Sequence, residues 1–332
     1  MFVRRTLKTG PRLLLAAAMG LSLTWAGAAQ ADPTQITVGV IYGIDKPQGK
    51  IWTKMNELVE KKIPGQITFN IVPDGALGGE KEEVEGVRLG SIQAGISTLA
   101  NMSTWVPETS LFDMPFIFRD QAHIDKVMAG PIGDEFKDLF AKQGFKAFGF
   151  ITYGARHVIS KAKITGPGDV NGLKMRVIQS PLHIALRESL GASPTPVPIT
   201  EAYNALETGV VDYMDMTMSG YQALKLYEVV PNFARTSHIW ALGVMYMSMP
   251  FWESLTPEQQ AALEEAAAEA IPYFNGLAAG EQEESLTKAV EMGATVVEQD
   301  TAEWQKAMAP FWASYADKVG GIEKIETIVN TK

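Results

Sequence analysis

The 332-residue chain contains no cysteine. That excludes disulfide frameworks, thiolate zinc sites, a cysteine nucleophile and a lipid-bearing cysteine behind a leader. Histidine is scarce too: four residues are scattered at 123, 157, 183 and 238, each read as a surface or packing residue rather than a ligand or base. No HExxH, GxSxG or P-loop string occurs, and no nucleophile, base and orienting group can be assembled for hydrolytic or acyl-transfer chemistry. Long apolar runs are missing except at the start. The run at 13–29 has 17 residues broken by glycine and serine, short for a bilayer span. Arg4, Arg5, Lys8 and Arg12 precede it and Ala29-Gln30-Ala31 follows with small cleavage-site residues. Residues 1–31 therefore read as a signal peptide that exports the chain, with Asp32 the mature N-terminus. The Arg4-Arg5 pair leaves both general and twin-arginine export open.

Positive charge is in deficit. The leader takes four of the 29 basic residues and none of the 38 acids, so the remainder carries −13. Such a surface repels nucleic acid and anionic lipid, and an anionic ligand would need individually placed cations. What the chain does have is an ordinary globular composition, 46% hydrophobic and 20% charged, and length for about two domains.

Short β-branched runs alternate with helical patterns. Strands are expected at 36–41, 66–72 and 91–97, with helices at 51–63 and 80–89 between them. This β-α-β-α-β order implies right-handed crossovers and a mostly parallel sheet. Further strands are expected at 145–151, 173–178, 210–216, 238–248 and 295–298. Thr256, Pro257 and Gln259 form a capping box that opens a helix running to about 290, with a kink expected at Pro272. Asp300 and Glu303 repeat the signature before a helix whose Trp304, Met308, Phe311, Trp312 and Tyr315 have core spacing. The glycine-rich GALGGE at 75–80 lacks phosphate-loop spacing and reads as a loop before a helix.

Two arginines stand among apolar neighbours. Arg176 interrupts LKMRVI and Arg156 follows Tyr153-Gly154-Ala155 at an expected strand end. Ligands of open α/β sheets bind beyond the carboxyl ends of strands, where a guanidinium fork matches a carboxylate. A structural ion pair is the alternative for both.

The segments GALGGEKEEVEGVRLGSIQAGIS, LFDMPFIFRD and GDVNGLKMRVIQSPLHIALRESLGASPTPVPITEAYNALETGVVDYMD, with KLYEVV at 225–230, resemble the DctP-type solute-binding proteins of TRAP (tripartite ATP-independent periplasmic) transporters. The likeness spans essentially the whole mature chain. It implies a periplasmic, two-lobed α/β fold with crossing hinge strands and a long helix spanning both lobes. Lobe I would comprise 32–153 plus about 242–281, lobe II 154–241 plus about 282–310, and a C-terminal helical segment about 300–332. It further implies a monomer that closes on a small organic carboxylate and delivers it to a membrane permease, with no enzymatic activity, no cofactor, no metal and no nucleic acid. Arg176 falls on the family's carboxylate clamp and Arg156 on a second arginine.

Where many relatives read VVDG-x-E-N, this chain reads VVDYMDM, so Tyr213 replaces glycine, Asp215 takes the acidic place and Met216 the asparagine. Asp215 would orient Arg176 or accept a ligand hydroxyl, with a solvated or structurally paired acid as the alternative. Ser97, Thr98 and Trp240 are further ligand-facing candidates, as are Tyr42 and Trp105. Met216, Tyr213 and Trp240 together would favour a ligand with an apolar or aromatic body. An exported enzyme acting on a carboxylate, or a module reporting ligand to a sensor, are the rival classes.

Overall fold

The computed structural model describes residues 32–332, so the leader expected at 1–31 lies outside the described residues. The early β-branched and amphipathic runs become β1 (Thr34–Gly39), α1 (Pro47–Lys62), β2 (Ile67–Val72), α2 (Glu80–Leu89) and β3 (Ala94–Thr98). Helix α1 buries Ile51, Trp52, Met55 and Val59 against Ile36 and Val38 of β1, the one-sided stripe its spacing dictates. Helix α2 stops at Gly90, whose φ of 81° is a left-handed cap. As the βαβ order requires, β1 pairs in parallel with both β2 and β3.

Helices α3 (Leu99–Met102), α4 (Gln121–Met128) and α5 (Pro131–Lys142) lead into β4 (Phe145–Ser160). A second alternation follows: β5 (Lys174–Val177), α6 (Pro181–Ser189), β6 (Ser193–Pro196), α7 (Ala202–Glu207), β7 (Tyr213–Met216) and α8 (Met218–Ala223). The chain continues through β8 (Asn232–Ser248), α9 (Met249–Ser254), α10 (Pro257–Glu291), β9 (Thr295–Val297), α11 (Thr301–Tyr315) and α12 (Ile322–Asn330). The sheet order is β2-β1-β3-β8-β4-β7-β5-β6, with β9 paired to β8.

Five of the eight strand pairings among the described residues are parallel, as expected, but the sheet is mixed where its halves join. Strand β8 is antiparallel to β3 and to β4, and β7 is antiparallel to β4. The runs expected at 145–151 and 238–248 belong to strands of 16 and 17 residues. Arg156, which seemed to end the first of them, continues the ladder opposite Ile239, and β8 resumes pairing at Ala234 beyond a register shift. Each long strand therefore passes through both halves of the sheet. The far end of β8 pairs with β3, and its start pairs with β9. Edge strand β6, Ser-Pro-Thr-Pro, escapes a β-propensity reading because proline is tolerated only on an edge.

Helix α10 is the other bridge. Its Ala262, Leu263, Ala266, Ala270 and Phe274 join the core around β1 and α1, while Leu286 and Ala289 join the core around β7 and α8. Its capping box forms as expected: Thr256 Oγ1 accepts from the Gln259 amide at 3.2 Å and Gln259 Oε1 from the Thr256 amide at 3.0 Å. The helix continues through Pro272 without interruption. At α11, Asp300 instead accepts from Ala302 at 2.9 Å, and no reciprocal Glu303 bond forms among the described residues. Trp304, Met308, Phe311 and Tyr315 pack into a third core with Phe112, Phe136 and Phe140. No helix among the described residues is long and apolar enough to cross a membrane.

Where β4 and β8 pass between the halves, their register slips at Thr152/Gly154 and Arg156/Val158. Gly154 has φ +118°, and a Cβ there would lie 2.9 Å from Gln282 Cδ. Gly154→Ala is expected to destabilise the fold by about 1–3 kcal/mol, read as a lower urea midpoint at unchanged slope. An unmoved midpoint would mean that the bulge relaxes freely.

Candidate functional site

Tracing the sheet to its carboxyl ends leads to one cleft of about 680 Å³, open mouth included. One wall comes from Ile41 and Tyr42 beyond β1, Thr98 ending β3 and Glu80 opening α2. The other comes from Arg176 in β5, Ile178 and Gln179 just beyond it, and Met216 at the end of β7. Arg156 and Tyr153 of β4 and Ala241 of β8 form its back. Both halves thus aim strand ends at the same space, the usual location for ligands of α/β sheets.

Arg176 is 3% exposed, and its Nε donates to the Val197 carbonyl at 2.8 Å. No carboxylate lies within ion-pair distance of it among the described residues. Burial, then the charge of Arg156, push it down to about 10, so it stays cationic at neutral pH. Asp215 and Glu80 offset its charge only from a distance, so a buried guanidinium at a cleft wall without a direct ion pair is suited to an anion.

Arg156, 4% exposed, is held differently. Its Nη2 donates to the Asp215 carbonyl oxygen at 2.8 Å and to Asp215 Oδ1 at 2.5 Å. Burial disfavours its charge, but the Asp215 carboxylate outweighs that and holds it above its ordinary value. Asp215 itself is 1% exposed. Burial would raise its pKa, yet Arg156 and Arg187 hold the carboxyl well below its usual range. Arg187 Nη2 reaches Asp215 Oδ2 at 2.6 Å, and His238 Nε2 lies 3.1 Å from the same oxygen.

Several expectations need correcting. Asp215 does not face the cleft and pairs with Arg156, not Arg176, because β7 lies beside β4 with Val158 opposite Asp215. Tyr213 is buried in the core, its phenol without a partner and, through burial, pushed up to about 12. Trp240 lines a separate hollow with His157, Arg235 and Gln282, because alternation along β8 gives Ala241 the cleft face. Trp105 packs against the third core. Ser97 lies beneath the wall, where its Oγ accepts from Asn101 Nδ2 at 2.9 Å. Arg156, Arg176, Thr98, Met216 and Tyr42 do line the cleft. Of the expected apolar trio only Met216 is there, and the aromatic rings present are Tyr42 and Tyr153.

Three residues at or behind the cleft were not singled out by sequence pattern. Glu80 looked like a first-turn acid, but it faces the cleft and accepts from Thr98 Oγ1 at 2.6 Å. Burial raises its pKa, a shift tempered by the Thr98 bonds and by Arg176. Arg187 was legible in principle, since it stands one turn from His183 on the buried side of α6. His238 resembled a packing histidine. Among the described residues no group of three acids or histidines could hold a metal ion.

Two α/β halves, bridged by long strands and a long helix and facing each other over a cationic cleft, define a two-lobed solute-binding protein. Residues 23–318 match the model of bacterial extracellular solute-binding protein family 7, the DctP family. The chain belongs to that family, whose members are TRAP-type solute-binding proteins and not enzymes. It is 31% identical over 323 residues, 96% of either chain, to the C4-dicarboxylate-binding periplasmic protein DctP of Rhodobacter capsulatus. A TRAP periplasmic solute-binding protein of Xanthobacter autotrophicus, solved with bound β-D-galacturonate, superposes with TM-score 0.85 at 28% identity. That match covers 90% of this chain and 100% of that one. The corresponding protein of Sulfurospirillum deleyianum, solved with succinate, gives TM-score 0.86 at 29% identity over 90% and 99%.

Proposed function

We propose that this protein captures a small hydroxylated carboxylate in the periplasm and, as a monomer, delivers it to a TRAP-type permease. The observation that carries the reading is Arg176, a buried cation in the cleft without a direct ion-pair partner among the described residues. It pairs with the ligand carboxylate, and Arg156 adds a second donor. Glu80, from the other half, supplies an acceptor suited to ligand hydroxyls and repels a second carboxylate. The relatives with galacturonate and with succinate bracket the ligand class, and Glu80 favours the former kind.

Lobe I is 32–153 with about 242–281 and lobe II 154–241 with about 282–310. They close because only the closed state brings Arg176 and Glu80 to one ligand. Charge-assisted bonds contribute about 1.5–3 kcal/mol each. Arg176→Ala is therefore expected to weaken binding of D-galacturonate or a related acid by about a hundredfold or more, as measured by calorimetry. Sugar acids should also bind more tightly than succinate. Undiminished affinity in Arg176→Ala would overturn the clamp assignment, and a preference for succinate would overturn the part given to Glu80.

A further inference from the structure

Arg187 is 1% exposed, lies in α6 and does not line the cleft. Its Nη2 donates to Asp215 Oδ2 at 2.6 Å and faces His238 Nε2 at 2.8 Å. Arg156 takes the other carboxylate oxygen, Oδ1. One buried carboxylate thus stands between two guanidinium groups and can balance only one of them. We propose that Arg187 is a positioning residue for the cleft: by engaging Oδ2 it confines Asp215 to a one-oxygen pairing with Arg156, which keeps positive charge available for the ligand's anion. This rests on the reading that the cleft binds a carboxylate.

The argument is one of competition. Without Arg187, Oδ2 would keep only the weaker His238 contact and could turn to Arg156 beside Oδ1, giving a closed and neutral pair that a ligand carboxylate would have to break. With Arg187 present the cluster of Arg156, Arg187 and Asp215 carries a net charge of one, and Arg176 beside it adds another. The cleft then attracts an anion despite the acidic exterior of the protein.

His238 reports on the same arrangement without any ligand. Its Nε2 meets an obligate donor, Arg187, at 2.8 Å and an obligate acceptor, Asp215 Oδ2, at 3.1 Å. Burial and Arg187 push the imidazole down to about 4, so it is neutral at pH 7. With Arg187 holding Oδ2 as proposed, Nε2 accepts from Arg187 and the ring proton sits on Nδ1, 2.7 Å from Thr236 Oγ1. Removing Arg187 leaves Asp215 as the only partner at Nε2 and should move the proton there.

The test compares Arg187→Met, Arg187→Lys and the double variant Arg187→Met/Asp215→Asn with wild type. Nitrogen NMR of the four imidazoles at pH 7 should show His238 as the Nδ1–H tautomer in wild type and Nε2–H in Arg187→Met. Calorimetry with D-galacturonate or succinate, whichever wild type binds more tightly, should show about a tenfold loss in Arg187→Met and a smaller one in Arg187→Lys. The double variant removes one charge of each sign and should return to within about threefold of wild type, a coupling that a packing role does not produce. Unchanged affinity in Arg187→Met, a double variant as weak as the single one, or an unmoved His238 tautomer would each overturn the proposal. If wild type binds neither acid, that counts against those ligands for the cleft, and the tautomer comparison still decides whether Arg187 holds Asp215.

Discussion

Replacing Asp215 by alanine is expected to cost about 3–5 kcal/mol of folding stability, because it strands buried charge. Arg156 and Arg187, 4% and 1% exposed, would face each other with no counter-ion. The folded carboxyl is held well below its ordinary value of 3.8 by these two arginines. An unfolded Asp215 protonates first as pH falls, so its contribution is fully present above about pH 5 and drains away in acid. Urea unfolding at pH 7 and at pH 3 should show a gap between wild type and variant that is large at the first and smaller at the second. A loss below about 1 kcal/mol at pH 7 would mean that water or other groups neutralise the arginines.

Glu83→Gln should act in the opposite sense. Glu83 is 2% exposed on α2, both of its oxygens lack a partner among the described residues, and it fills the space above Gly39 so closely that a Cβ there would collide with it. Burial, then the nearby Glu80, push it up from 4.5 to about 8. Between these values the folded chain holds a proton that the unfolded chain has released, so stability falls as pH rises from about 4.5 to 8. At about 1.4 kcal/mol per pKa unit the cost approaches 3–4 kcal/mol near pH 7–8. The neutral amide removes that dependence. Glu83→Gln is expected to raise the melting temperature by several degrees at pH 8 and to leave it nearly unchanged at pH 4. A gain of equal size at both pH values would show that packing, not ionisation, is the cause.

How far the molecule was legible in the sequence follows from the range of each interaction. The β1–α1–β2–α2–β3 unit was visible because its periodicity, Gly90 cap and pairing are local. The full length of β4 and β8 was not, since Arg156 looks like a strand end until Ile239 is known to lie opposite it, and the start of β8 is set apart by a register shift. In the cleft, Arg176 stood out as a charge inside an apolar strand. Trp240 was assigned to the wrong face because alternation fixes two faces but not which one meets the ligand. Arg187 and Asp215 are 28 residues apart and touch only through the parallel pairing of β5 with β7 and the packing of α6. Local pattern carries no trace of such a contact.

The strand pairing also sets the order in which the protein can fold. Ala94 of β3 pairs with Met247, and Phe145 of β4 with Ser248. The first βαβ unit therefore has an unpaired inner edge until more than two thirds of the chain has been made. Neither half is a continuous stretch of sequence, so neither can be completed early and parked. Loop-closure entropy must be met before these distant contacts form, which makes acquisition of the native state slow and late. The native sheet therefore cannot be completed until β8, which ends at Ser248, has been made.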